Sequence, residues 1–262
     1  MHGVSPTDPG RTIDWSRTSA DYGAHRPGPP DSFFEKLRRL GIGLPGQALL
    51  DLGTGTGALA RRFAAQGARV AGVDIAPGQI EEARRLAAAE GVHVDFRVDP
   101  AEATPFPDRG FDVLTANQCW LYFDQARAVA EARRLLAPGG VLVTSHCSWL
   151  PRQDPIARAT EALVLAHNPQ WTAGDWDGHV PERPAWAGRG LAVRDGFVYD
   201  EALPFTRESW RGRIRACRGV GAALARDDVQ RFDAEHQALL ARIAPERFGV
   251  LHRIDAHVLV PA

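Results

Sequence analysis

Between residues 47 and 147, short apolar runs alternate five times with segments of helical periodicity. The runs are QALLDLG, ARVAGVDIA, VHVDFRVD, FDVLTANQ and VLVTSHC. Each is short, rich in Val and Leu, and bounded by Gly, Asp or Asn, which reads as a strand. Helical segments carry their own start and stop signals. DSFFEKLRRLG has Asp31 or Ser32 as N-cap, an apolar face of Phe33, Phe34, Leu37 and Leu40, and Gly41 as a stop. GALARRFAAQG closes at Gly67. PGQIEEARRLAAAEG has Pro77 in its first turn and Gly91 after its last. DQARAVAEARRLLAPGG begins on Asp124. This alternation predicts parallel strands joined by right-handed crossovers, a doubly wound α/β sheet. Ligands in such sheets lie at the carboxyl ends of the strands. Those ends are the glycine loop after Asp51, Asp74, the Asp99–Glu102 region, Asn117–Trp120 and His146.

Beyond residue 150 the alternation stops. PRQDPIARATEALVLAHNP reads as a helix and is followed by a Trp- and Gly-rich stretch, WTAGDWDGHVPERPAWAGRG. FVYDEALPF reads as a strand, TRESWRGRIRAC and RDDVQRFDAEHQALLARI as helices, and VLHRIDAHVLV as a last strand. Strands six and seven are expected to complete a Rossmann-like, mostly parallel, seven-stranded sheet, with helical insertions forming a lid. The expected organisation is an arm over 1–30, a core over 31–150, insertions with the sixth strand over 151–248, and a final strand over 249–262.

Composition narrows the function classes. The 262 residues carry a net charge of −1 with no block of like charges, and Lys36 is the only lysine. No polybasic surface for nucleic acid or membrane is indicated. Three cysteines far apart in sequence, Cys119, Cys147 and Cys217, argue against a disulfide framework or a cysteine zinc site. No apolar run has transmembrane length, and MHGVSPTDPG lacks the apolar core of a signal peptide. A cytoplasmic monomer or homodimer acting on a small molecule is expected. The acids and His of GDWDGH (174–179) lack further ligand spacing, so no metal is expected.

The loop DLGTGTGALA (51–60) is the main functional signal. Gly53, Gly55 and Ala58 satisfy the dinucleotide pattern G-x-G-x-x-G/A, and Asp74 follows about 20 residues on, where a ribose-binding acid would sit. Asp51 weighs against a dinucleotide. A carboxylate two residues before the first glycine would repel a pyrophosphate but attract an ammonium or sulfonium. A P-loop is excluded because no Gly-Lys-Ser/Thr follows.

These motifs together resemble the class I S-adenosylmethionine-dependent methyltransferases. Asp51-Leu52-Gly53-Thr54-Gly55-Thr56-Gly57 is similar to that family's first motif, and Asp74 to the acid closing its second strand. Thr104-Pro105-Phe106-Pro107-Asp108 with Phe111-Asp112 resembles the approach to its fourth strand. Leu135-Leu136-Ala137-Pro138-Gly139-Gly140 resembles its turn into the fifth. The leading segment Tyr22-Gly23-Ala24-His25-Arg26-Pro27 resembles the arm of the trans-aconitate methyltransferase-like branch. The resemblance covers roughly residues 20–147. It implies that S-adenosylmethionine binds with the Gly53, Thr54, Gly55 and Gly57 backbone against its methionine part and Asp51 on its amino group. It implies Asp74 on the ribose hydroxyls with Ile75 beside it, and Ala101 and Glu102 flanking the adenine. Asn117 and Gln118 would lie near the sulfonium, and Tyr22 and Arg26 would close over the cofactor. The family often has Asp immediately before the Ala-Glu pair. Here Pro100 stands there, so Asp99 or backbone groups are left to read the adenine.

Methyl transfer asks a protein mainly to align donor and acceptor, and sometimes to take a proton. His146, at the end of strand five, is the candidate base, with a loop hydrogen bond as its alternative role. Trp120 and Tyr122 could wall the acceptor or pack against the next helix. Trp149, Trp171 and Trp210 could line an aromatic pocket or form lid core. His167 could touch substrate or end a helix. Arg207, Arg211 and Arg215 share one helix face; Arg211 is the candidate for an acidic substrate, against a face of local ion pairs. Three rival functions share these features: other chemistry on the same cofactor, such as aminocarboxypropyl transfer or cyclisation; a nicotinamide-dependent oxidoreductase; and a non-catalytic binding module.

Overall fold

The computed structural model describes residues 15–25 and 28–262. Its elements are α1 (Ser19–His25), α2 (Asp31–Arg39), β1 (Ala48–Leu52), α3 (Ala58–Ala65), β2 (Arg69–Asp74), α4 (Pro77–Glu90), β3 (Val94–Val98) and β4 (Phe111–Asn117). There follow α5 (Gln125–Leu135), β5 (Leu136–Trp149), α6 (Pro155–His167), β6 (Leu191–Thr206), α7 (Arg207–Arg215), α8 (Arg226–Ile243) and β7 (Arg247–Pro261). All five expected strands are present, with α3, α4 and α5 between them as read from the sequence, but β3 passes to β4 through a loop without a helix, so the alternation lapses once. Asp124 caps α5 by accepting from the backbone N–H of Ala126 and Arg127. Gly91 ends α4 in the left-handed region, at φ 66°. At α2 the cap position falls on Pro30, with no side-chain hydrogen bond, so neither Asp31 nor Ser32 caps it. The Ala137–Gly140 turn is absorbed into a long β5, which shifts register against β4 between Phe111 and Val113.

Two compact units partition the chain. The sheet unit comprises Gly28–Cys147, Val180–Tyr199 and Ile254–Ala262. Val180–Tyr199, within the segment that the sequence assigns to the insertions, thus groups with the sheet. The strand order is β3-β2-β1-β4-β5-β7-β6, and the pairings β1–β2, β1–β4, β2–β3 and β4–β5 are all parallel. This is the doubly wound arrangement that the alternation predicts. The chain leaves β1 toward β2 on one side and returns to β4 on the other, so the switch point lies beside β1. Leu49, Leu50 and Leu52 of β1 are fully buried, as a central strand covered on both faces requires. Leu114, Leu135, Leu142 and Leu259 extend the same core.

The Thr104–Asp108 segment owes its shape to α5. Thr104 donates from its backbone N–H and its hydroxyl to Glu131 Oε1 at 2.7 and 2.8 Å. Arg134 Nη1 donates to the Phe106 carbonyl at 2.8 Å and to Asp108 at 2.7 Å. Burial would raise the Glu131 carboxyl, but two bonds from the Arg134 guanidinium, then the Thr104 donors, hold it down at about 2. The motif therefore reports an anchoring network and not a ligand contact.

The helical unit comprises the described part of Met1–Pro27 with Ser148–His179 and Asp200–Arg253. Asp154 starts α6, accepting from Ile156 and Ala157 through one oxygen and from Leu251 through the other. Trp210 of α7 is fully buried against Phe205 and Trp149. Its indole N–H donates to Thr160 Oγ1 at 3.0 Å, and Thr160 meets His236 Nε2 at 3.2 Å. Among the described residues no helix is long and apolar enough to cross a membrane.

Candidate functional site

Asp51 sits one residue before the end of β1, in register with Gly72 of β2 and Thr115 of β4. That placement supplies its partners. Thr115 Oγ1 donates to Oδ1 at 2.6 Å and Thr54 Oγ1 to Oδ2 at 2.7 Å. Gly72 makes room for the second bond, since a Cβ there would stand 2.9 Å from Thr54 Oγ1. Burial raises the Asp51 carboxyl to about 6; the two hydroxyls offset part of the rise and the Asp74 charge adds to it. The rise corresponds to roughly 3 kcal/mol of preference for the protonated form. Among the described residues only neutral donors meet this buried carboxylate, so its charge is left uncompensated.

The loop that follows needs its glycines for two reasons. Gly53, Gly55 and Gly57 have φ of 62°, 56° and 77°, where a side chain is strained. Neighbours also crowd them: a Cβ on Gly53 would lie 2.8 Å from Cys119 Sγ, and one on Gly57 2.6 Å from the Phe96 ring. Thr54 N–H donates to the Val73 carbonyl at 2.9 Å, and Gly55 N–H to Asp74 Oδ2 at 2.9 Å. Asp74 Oδ1 accepts from Ala76 N–H at 2.9 Å. Asp74 thus locks the loop to the end of β2, and its carboxyl is raised mainly by burial. Each oxygen keeps lone-pair capacity for a further donor.

Beside this acid the surface is apolar and open. Ile75 is 54% exposed and Val98, at the end of β3, 45% exposed. Ala101 is buried, and Glu102 accepts from Asp124 N–H at 2.9 Å, tying the start of α5 to this edge. Pro100 is exposed and Asp99 half-buried, with Asp99 N–H donating to the Asp74 carbonyl at 3.2 Å. On the other side of β1, Asn117 accepts from Ser145 Oγ at 3.1 Å. Gln118 adopts φ 59°, unusual for a non-glycine residue. It is fixed by its N–H to the Ser145 carbonyl and its side chain to the Cys147 carbonyl. Strained backbone at a ligand edge is a common mark of a functional site.

His146 of β5 is 28% exposed, and its Nδ1 lies 3.0 Å from Asp255 Oδ1. Asp255, on the adjacent β7, is 1% exposed. Sequence reasoning missed it. Its local signal is weak, one acid in a strand that also carries His252, Arg253 and His257. Thr115 and Gly72 were missed for the same reason, because their value depends on strand register.

Several candidates have other work. Trp120 is 1% exposed, a core residue packed on Phe123 and Trp186, and not the wall of an open site. Trp210 and Trp171 are likewise buried. Trp149 donates to Glu161 and carries the Arg213 guanidinium 5.0 Å above its ring. His167 pairs with Glu235 at 3.2 Å and packs on Phe232. Arg211 is bound by Asp233 and Glu208, and Arg215 by Asp21, Asp233 and Glu208. Arg207 donates to the Ala244 carbonyl. Arg211 and Arg215 are therefore engaged in ion pairs, mostly with acids of other helices, against the expectation of an acidic-substrate contact at Arg211. In GDWDGH, Asp175 pairs with Arg152 and Asp177 accepts from His179 N–H. Cys119 packs at Gly53, with Sγ 3.1 Å from the Leu52 carbonyl. Arg26 and the side chain of Tyr22 lie outside the described residues.

The edge assembled in the sheet unit fits an adenosyl amino acid better than a dinucleotide. It offers a buried carboxylate for a cation, a second acid with spare lone pairs for hydroxyls, and open apolar surface for a base.

Comparison with known proteins agrees. A family described as a methyltransferase domain matches residues 50–144. Demethylmenaquinone methyltransferase of Thermus thermophilus is 47% identical over 98 residues, covering 36% of this chain and 44% of that protein. Ubiquinone biosynthesis O-methyltransferase of Xanthomonas euvesicatoria is 32% identical over 178 residues, covering 66% of this chain and 71% of that protein. The chain matches less than two thirds of the length of the first of these relatives. The fold is similar to that of an S-adenosylmethionine-dependent methyltransferase from Geobacter sulfurreducens solved with S-adenosylhomocysteine. There the TM-score is 0.54 at 18% identity, over 94% of this chain and 98% of that one.

Proposed function

The chain belongs to the class I S-adenosylmethionine-dependent methyltransferases, and we propose that it transfers a methyl group from S-adenosylmethionine to a small molecule. When bound, the cofactor supplies the electrophilic methyl carbon and the leaving group. The protein's residues hold and orient. Asp51, ionised in the presence of a cation, binds the amino group, directly or through water. The Gly53, Thr54, Gly55 and Gly57 backbone approaches the methionine part. Asp74 accepts from the ribose hydroxyls while keeping its grip on the loop. Ile75 and Ala101 take the adenine, with Asp99 or nearby backbone reading its edge and Glu102 supporting the wall. Asn117 and Gln118 lie on the far side of β1, toward the transferring group. His146 takes a proton from the acceptor.

The observation that carries this reading is the Asp51–Asp74 pair around a lysine-free glycine loop. A pyrophosphate would face Asp51, which disfavours the nicotinamide alternative; Asp74 would meet a ribose in either ligand. The acidic acceptor implied by a trans-aconitate-like branch finds no support on α7, where Arg211 and Arg215 are already paired. The test is thermal stabilisation by S-adenosylhomocysteine, S-adenosylmethionine, NAD and NADP, on the wild type and on Asp74→Ala. A ligand at about 100 times its Kd adds roughly 2.7 kcal/mol. S-adenosylhomocysteine should stabilise the wild type, and Asp74→Ala should weaken it about 10- to 100-fold, the worth of a hydrogen bond to a charged group. Stabilisation by a nicotinamide dinucleotide alone would overturn the reading.

A further inference from the structure

We infer that Asp255 is the positioning residue of a proton-accepting His146, and that the acceptor is a hydroxyl that loses its proton as it is methylated; this rests on the reading above. The geometry is a carboxylate 1% exposed, 3.0 Å from Nδ1 of an imidazole that is itself 28% exposed. Among the described residues neither group has a second ion pair. His257, two residues along β7, turns its Nε2 to the Pro181 carbonyl at 2.8 Å instead. A buried carboxylate is costly unless a donor meets it, and no apolar residue of similar size would carry that cost. The donor here is Nδ1–H. Once that proton is fixed on Nδ1, the neutral ring presents Nε2 as a lone pair. Asp255 also stabilises the imidazolium that forms when Nε2 takes a proton. The same division of roles holds in the serine-protease triad, where the carboxylate sets the tautomer and is not itself protonated.

Such a pair has little use for a neutral amine, which attacks through its own lone pair. A hydroxyl is a weak nucleophile until its proton leaves. The acceptor oxygen bonds to the methyl carbon as the carbon–sulfur bond breaks, its electron pair going to sulfur. The hydroxyl proton goes to Nε2 of His146 and later to solvent.

The experiment is nitrogen-15 NMR of the histidines in the protein saturated with S-adenosylhomocysteine, for wild type, Asp255→Asn and His146→Ala, the last assigning the His146 signals. In the wild type, neutral His146 should carry its proton on Nδ1. In Asp255→Asn the proton should move to Nε2, the wrong tautomer for a base, as when an amide replaces the carboxylate of the serine-protease triad. A wild-type proton on Nε2, or a tautomer unmoved by the substitution, overturns the inference. If Asp255→Asn does not fold, the wild-type tautomer decides alone. On a hydroxyl acceptor, both variants should lose about 100-fold or more in kcat while S-adenosylhomocysteine affinity holds. Equal rates with an unchanged pH profile also overturn it. Failure of S-adenosylhomocysteine to bind the wild type would strike the cofactor reading instead, which separates the two.

Discussion

The acids at the ends of β1 and β2 and the arginines of α7 are all largely buried, yet they are held in opposite ways. Asp51 and Asp74 are met by neutral donors: two threonine hydroxyls and two backbone N–H groups. Arg211 and Arg215 are met by Asp233, Glu208 and Asp21. A neutral shell orients a charge without cancelling it, so the charge stays available to a ligand. A shell of opposite charge cancels it. The first arrangement leaves a buried charge uncompensated, and the second compensates it within the fold.

The largest test of that contrast is Asp51→Asn. Asp51 binds its proton more tightly folded than unfolded, because burial lifts its carboxyl from 3.8 to about 6. Its site is therefore most stable below the ordinary carboxylate value and loses stability as pH rises through about 6. Removing the charge should stabilise the ligand-free protein at pH 7 by roughly 2–3 kcal/mol and weaken S-adenosylhomocysteine binding. His236 runs the other way. Burial pushes it down to about 4, so its contribution is full above 6.5 and is lost as pH falls. Asp51→Asn should consequently lose stability more steeply toward acid than the wild type, measured by urea unfolding between pH 4 and 7. A variant less stable than wild type at pH 7 would mean that the Thr54 and Thr115 bonds outweigh the burial cost.

Asp233→Asn tests the other half. Burial would raise this carboxyl, but Arg211 and Arg215 hold it below its ordinary value, so its contribution exists at neutral pH and disappears in acid. The variant should lose roughly 1–2 kcal/mol at pH 7, between the values for exposed and buried pairs, and nothing at a pH where the wild-type carboxyl is protonated. A loss independent of pH would mean that packing, not charge, is what Asp233 provides. The smallest effect is expected at Arg211→Gln: under about 1 kcal/mol in stability, with S-adenosylhomocysteine affinity and acceptor KM unchanged. A large rise in acceptor KM would restore Arg211 as a substrate contact.

The sheet unit was legible because its signals are local. Strand and helix periods, Gly91 and Asp124 at helix ends, and the glycines after Asp51 each act over a few residues. Ile75 and Asp74 could be placed at the carboxyl end of β2 because a parallel strand delivers whatever ends it. Trp120 could not be placed, since the same indole after a strand can face a pocket or the core. Neighbours from distant segments decided it, among them Trp186. Arg211 failed similarly: its helix face is plain in the sequence, but Asp233, which neutralises it, comes from α8.

The sequence by itself determined the alternation, the loop and its two acids, because these depend on covalent neighbours and repeating periods. Tertiary structure alone decided that Thr115 stands beside Asp51, that Asp233 closes the α7 arginines, and that Asp255 meets His146 across 109 residues of chain. Those pairings depend on strand order and helix packing. Hydrophobic burial sets both over the whole domain, and no short stretch of sequence records them.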